Sequence, residues 1–151
     1  MMRRKDRAIT EEEAAALLRR GEYGVLSTVS EDGNPYGVPV HYCLIGHDIY
    51  FHCAIQGRKI DHFEKNKLVS FCVVGDTELL PREFATRYES VIVAGEIEEV
   101  FDPRKQTVLE RLVKKYSPEF FESGLKYIEK FKDKTRVFKI TIQTLSGKAR
   151  K

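Results

Sequence analysis

Between residues 24 and 53 the chain alternates short apolar runs with turn signals, and no other feature limits its fold so much. Val25 to Val29 is the first run. Glu31-Asp-Gly-Asn34 follows, and an Asp-Gly pair between apolar runs favours a tight hairpin. Tyr36 to Leu44 is the second run. Its Val38, Val40, Tyr42 and Leu44 recur at every other position, the period of a strand with one buried face. Gly46-His-Asp48 turns the chain into a third run, Ile49 to Cys53. Turns this short predict an antiparallel meander. Leu68 to Val74, Tyr88 to Val100 and Arg136 to Ile142 read as further strands. Gly95 marks a bend or bulge, Gly147 and Lys148 follow the last strand, and Thr77 to Arg87 reads as a loop.

About six strands at this spacing predict a mainly β chain with peripheral helices, arranged as a small closed or nearly closed antiparallel barrel. Closure removes the exposed edges that a flat sheet would present. Several strands are apolar on both faces, which points to a second buried surface such as a dimer interface.

Helices are predicted near the two ends. Thr10 and Glu13 have capping-box spacing ahead of an alanine- and leucine-rich run, and Gly21 is expected to end that helix in a left-handed conformation. Gly57 to Asn66 reads as a short helix. Asp102-Pro103 and Ser117-Pro118 each place a cap residue before a proline, opening two more helices. No repeat or linker interrupts residues 1–151, so one domain is expected.

Charge and motifs exclude several functions. The formal net charge is +3 with basic and acidic residues interleaved, too weak a bias to argue for nucleic acid. The basic ends, Arg3 to Arg7 and Lys148 to Lys151, read as solvated tails. No run approaches the roughly 20 apolar residues that cross a bilayer, and the start lacks the apolar stretch of a secretory signal. Cys43, Cys53 and Cys72 are isolated and odd in number, which reads as reduced core thiols of a cytoplasmic protein. His41, His47, His52 and His62 show no metal-ligand spacing, so no metal site is expected. No glycine-rich nucleotide fingerprint or nucleophile elbow occurs.

The chemistry concentrates in Ile49 to Ile60, where a strand runs into a loop, then Gly57, then Arg58 and Lys59 at a helix start. Helix-start N–H groups carry partial positive charge and suit a phosphate. Arg58 can fork onto two phosphate oxygens and Lys59 adds a point charge. An ordinary solvated Arg-Lys pair is the competing reading. His52 ends an apolar strand, as a structural histidine or as a group that contacts substrate and moves a proton. Pro39 cannot donate to a sheet ladder, so it marks an edge, a bulge or a place where a ligand meets the backbone.

In order and spacing, Arg3 to Arg7, Gly24-Val-Leu-Ser-Thr28, Asn34 to Val40, Ile49-Tyr-Phe-His52, Gly57-Arg-Lys59, Tyr88 to Gly95 and Ser146-Gly-Lys148 resemble the pyridoxamine 5′-phosphate oxidase-like superfamily. The 5-nitroimidazole-resistance branch is the nearest in pattern. The resemblance implies an FMN-binding split β-barrel of Greek-key type, a homodimer with FMN at the interface, and FMN-dependent oxidoreductase activity on a small-molecule substrate with an electron donor. It implies that Arg58 and Lys59 hold the FMN phosphate, that Pro39, Val40 and His41 lie along the flavin ring, and that Phe51 and His52 lie close to it, with His52 catalytic. Ser90 and Val91 complete the site from the partner subunit, and Lys148 matches a terminal Gly-Lys motif. A flavin- or haem-binding carrier on the same barrel is the alternative. The additional basic substrate set of the vitamin B6 oxidases has no equivalent near the C-terminus.

Overall fold

The computed structural model describes residues 2–151. Its strands are β1 (Gly24–Val29), β2 (Pro35–Val40), β3 (Cys43–Ile45), β4 (Asp48–Ala54), β5 (Leu68–Leu80), β6 (Ala85–Val100) and β7 (Thr135–Arg150). They form one antiparallel sheet in the order β2-β1-β5-β6-β7-β4-β3. The two outermost strands, β2 and β3, are separated in the chain only by His41 and Tyr42. Two residues and their flanking bonds span roughly 10 Å, so the sheet curls until its edges lie side by side. β2 pairs with β1 and β3 with β4, but β2 and β3 do not pair with each other. The barrel is thus closed by a short covalent link and left split between those strands.

The predicted meander does not form. The run from Tyr36 to Leu44 breaks at His41-Tyr42, and β4 pairs with β3 and β7 rather than with β2. Side chains take over the backbone groups at the break. The Tyr42 N–H donates to Tyr116 Oη at 3.0 Å, and the Tyr42 carbonyl accepts from Lys115 Nζ at 2.9 Å. Thr77 to Arg87 is not a loop: β5 and β6 continue as paired arms through Leu80 and Ala85. The last strand also runs further than expected, and Gly147 and Lys148 lie within it, paired with Val91 and Ser90. Gly95 sits at a register shift between β6 and β7, where a Cβ would collide with the Thr141 carbonyl.

Four α-helices flank the sheet: α1 (Glu11–Arg20), α2 (Arg58–Lys65), α3 (Arg104–Tyr116) and α4 (Phe121–Phe131). The capping box of α1 is complete: Glu13 N–H donates to Thr10 Oγ1 at 3.1 Å, and Thr10 N–H to Glu13 Oε2 at 2.8 Å. Gly21 after α1 has φ −56° and is not left-handed. A side chain there would strike the Tyr42 hydroxyl and Val73, so close approach explains the glycine. The ends are not solvated tails. Ile9 N–H donates to the Gly147 carbonyl at 3.1 Å, and Lys151 pairs with Glu13 at 3.0 Å.

The barrel interior is filled by Leu26, Phe51, Phe71, Val91, Val93 and Ile140, all fully buried, with α1 and α2 contributing Leu17, Leu18, Ile60 and Phe63. A second core lies between the β3/β4/β7 end of the sheet and α3, where Tyr50 and Val137 meet Val108, Leu109 and Leu112, with Ile128 added from α4.

Candidate functional site

The end of β4, the loop over residues 55–57 and the start of α2 form a basic corner of the barrel. Helix α2 opens without a side-chain cap. Its first internal hydrogen bond runs from Asp61 N–H to the Gly57 carbonyl at 3.1 Å, so the N–H groups before it point outward unsatisfied. A Cβ at Gly57 would meet nothing within 4 Å, so the space above this helix start is open. Arg58 lies with its guanidinium carbon 4.9 Å from the centre of the Tyr36 ring. Neither Arg58 nor Lys59 has an ion-pair partner among the described residues. An uncapped helix start beside two cations without ion-pair partners suits an anion in charge and in donor supply.

Five long-range contacts hold that corner still, and no local sequence pattern marks them. Arg136 on β7 pairs with Glu99, reaches Glu64 of α2 at 3.5 Å, and donates to the Ile55 carbonyl in the loop at 3.3 Å. Thr28 Oγ1 and His62 Nδ1 lie 2.8 Å apart and tie α2 to β1. The ring of Tyr36 meets His62 edge-on with centroids 5.8 Å apart. The partners stand 26 to 81 positions apart, beyond any local pattern.

Beside this corner is a cleft of about 460 Å³ into which both His41 and His52 open. Its walls come from Leu109, Leu112 and Val113 of α3 and from Tyr127, Ile128 and Phe131 of α4. His41 stacks on Tyr116 with ring centroids 4.1 Å apart and planes 12° from parallel. Tyr116 is in turn fixed by its hydroxyl, which donates to the Glu22 carbonyl at 2.6 Å and accepts from Tyr42 N–H. The protein mass around His52, and secondarily His41, push the His52 pKa below its ordinary value. The shift favours the neutral imidazole, which can accept a proton or a hydrogen bond.

The expected site residues divide into three groups. His41 and His52 line one cleft, with exposed Pro39 on edge strand β2 beside His41, whereas Arg58 lies over Tyr36 near the opposite end of β2 and Lys59 follows it in α2. Val40 packs against the barrel core, and Phe51 and Val91 are fully buried. Their side chains face inward, so only their backbone groups can meet a ligand. Ser90 on β6 and Lys148 on β7 are paired with each other, three and four strands away from β2. At about 4.8 Å per strand, they stand some 14 to 19 Å from the Pro39 edge when measured along the sheet.

The outer sheet face between those two groups is exposed and largely uncharged. Strand register aligns Pro39, Val25, Cys72, Ile92 and Ser146 in one row across five strands. Val74 beyond it is 57% exposed and Ile92 48%. Alone, an apolar row of this kind is an interface candidate.

A family model described as pyridoxamine 5′-phosphate oxidase matches residues 10–149. No curated protein matches the chain. Three solved structures are similar to it. A candidate 5-nitroimidazole antibiotic resistance protein from Bacteroides thetaiotaomicron is 19% identical over 94% of this chain and 86% of that one, with TM-score 0.77. A flavocytochrome from Azotobacter vinelandii is 22% identical over 100% and 72%, with TM-score 0.82. A FAD- and haem-binding protein from Mycobacterium smegmatis is 17% identical over 94% and 72%, with TM-score 0.77. At these identities the likeness is one of fold. No helix among the described residues is long and apolar enough to cross a membrane, and none of their His, Cys, Asp and Glu side chains cluster as a metal site.

Proposed function

The chain belongs to the pyridoxamine 5′-phosphate oxidase family, and from that premise we propose that it is an FMN-dependent oxidoreductase that works as a homodimer. The observation that carries the reading is the open, uncapped start of α2 with Arg58 and Lys59 unpaired, placed next to a cleft floored by two histidines. A phosphate monoester fits the helix start in charge and in donor supply. When bound, the flavin supplies the electron-transfer chemistry.

The chain's own residues have separable tasks. Arg58 and Lys59 clamp the phosphate, and the N–H groups of the first turn of α2 complete its cradle. Arg136, through Ile55 and Glu64, keeps that cradle in place. Pro39 gives β2 a flat, donor-free patch for a ring. His52, held uncharged, takes a proton from a substrate being oxidised, or passes on one received from solvent to a substrate being reduced. Ser90 and Lys148 act across the interface, because the exposed row from Pro39 to Ser146 is the surface a second copy covers. A non-catalytic flavin or haem carrier is the second reading, favoured by the histidine pair in an apolar cleft and by fold relatives that bind haem.

The deciding measurement is the visible spectrum of the purified protein, with the released cofactor identified by mass and its reduction followed by stopped flow. Stoichiometric FMN that a donor reduces, and that Arg58→Ala with Lys59→Ala removes, supports the enzyme. Flavin that no donor reduces, or haem in its place, supports the carrier.

A further inference from the structure

The walls of the His41/His52 cleft have a chemistry that narrows what enters it. Helices α3 and α4 pack closely where Gly124 admits Val113, since a Cβ at Gly124 would collide with that side chain. Above this contact the helices leave Leu109, Val113 and Ile128 facing the cleft. Tyr127 stands 64% exposed at its mouth, 4.5 Å from the Phe131 ring, with nothing covering its other face. At the rim Lys134 is a single cation without an ion-pair partner among the described residues, and the neighbouring polar groups are committed. Lys132 is paired with Asp102 at 2.8 Å, and Tyr116 spends its hydroxyl on backbone groups. That leaves no cluster of cations for a phosphate ester, and it leaves the two imidazoles as the hydrogen-bonding groups of the floor.

We infer that this cleft is the substrate pocket and that it takes a flat, apolar ring compound of the quinone class, with a carbonyl oxygen directed at His41 or His52. The inference rests on the flavin reading for its chemistry and on the cleft alone for its binding. A volume of about 460 Å³ accommodates one or two rings and lies within the range of ordinary ligand pockets. Planar rings match Tyr127 and Phe131 as stacking surfaces. Reduction of a quinone to a hydroquinone takes two electrons and two protons. A hydride from the reduced flavin carries both electrons and one proton, His52 relays the second proton from solvent, and a reduced nicotinamide or similar donor restores the flavin.

The test titrates the purified protein with duroquinone, whose four methyl groups leave no ring carbon for the nearby Cys53 to attack. Binding is followed by methyl NMR and flavin content by absorbance on the same sample. Saturable shifts confined to the cleft-wall methyls of Leu109, Leu112, Val113 and Ile128 are expected, with or without flavin. Tyr127→Glu, at an exposed position that the fold tolerates, should weaken binding at least about tenfold while circular dichroism stays unchanged. Shifts that are absent, unsaturable or located elsewhere overturn the pocket, as does equal affinity in the variant. Duroquinone binding in a protein that takes up no flavin overturns the enzyme reading and keeps the pocket. Flavin without duroquinone binding does the reverse.

Discussion

The barrel core and the core beneath α3 and α4 are built from the same residue types but finished differently. In the barrel, Leu26, Phe51, Phe71 and Val93 are 0% exposed. Under the helices, Leu109 is 7% exposed, and Leu112 and Ile128 are 6%; these three also line the cleft. One core is ringed by strands and covered by α1 and α2, and the other has an open wall. Strands paired on both edges leave no gap between them. A pair of helices shares only one seam and can stand apart above it. Stability therefore concentrates in the barrel, and room for a ligand lies beside the helices.

The sharpest way to break this comparison is truncation in each core. Phe71→Ala removes a fully buried ring and should lower unfolding free energy by about 4 kcal/mol in urea titration. Ile128→Ala should lower it by only about 2 kcal/mol, because its cavity opens into the cleft and fills with water. Equal losses would mean that the cleft wall is as load-sharing as the barrel. Next in size is the anion corner, which should matter to ligand and not to fold. Arg58→Ala with Lys59→Ala is expected to weaken flavin binding about a hundredfold, about 3 kcal/mol, with the urea midpoint unchanged. Thr10→Ala removes a helix cap remote from both cores and should cost about 1 kcal/mol of stability with flavin affinity intact.

The smallest effect is one of pH. His52 is held below its ordinary pKa by burial, and next by His41, so the unfolded chain binds its proton more readily than the folded one. Its contribution to stability is complete above the unfolded value near 6.5 and declines as pH falls through that value toward the lower native one. His52→Gln should flatten this part of the stability profile, read as urea midpoints between about pH 7 and pH 5.

Local chemistry in the chain carried further in some places than in others. The Thr10/Glu13 capping box, the turn at Asp32-Gly33, the bulge at Gly95 and the edge position of the Pro39 strand are all present. Each depends on residues within a few positions, or on the conformational limits of one proline or glycine. Helix α2 with its two leading cations was legible for the same reason. The break at His41-Tyr42 was not, because an alternating apolar pattern says nothing about the Tyr116 and Lys115 groups, more than 70 positions away, that take the Tyr42 backbone out of the sheet. The arms of β5 and β6 over residues 77–87 were missed because polar, exposed residues form a strand there by pairing with each other across the hairpin.

By itself the sequence determined an antiparallel barrel, the capping box of α1, the turn at Asp32-Gly33 and a basic helix start suited to a phosphate, since each rests on short-range propensity and spacing. Tertiary structure alone decided that β2 and β3 meet without pairing, that Val40, Phe51 and Val91 turn inward, that Arg136 steadies the anion corner, and that α3 and α4 open a cleft over His41 and His52. Those outcomes depend on which distant backbone groups satisfy one another and on where packing stops, and neither is written in the spacing of neighbouring residues.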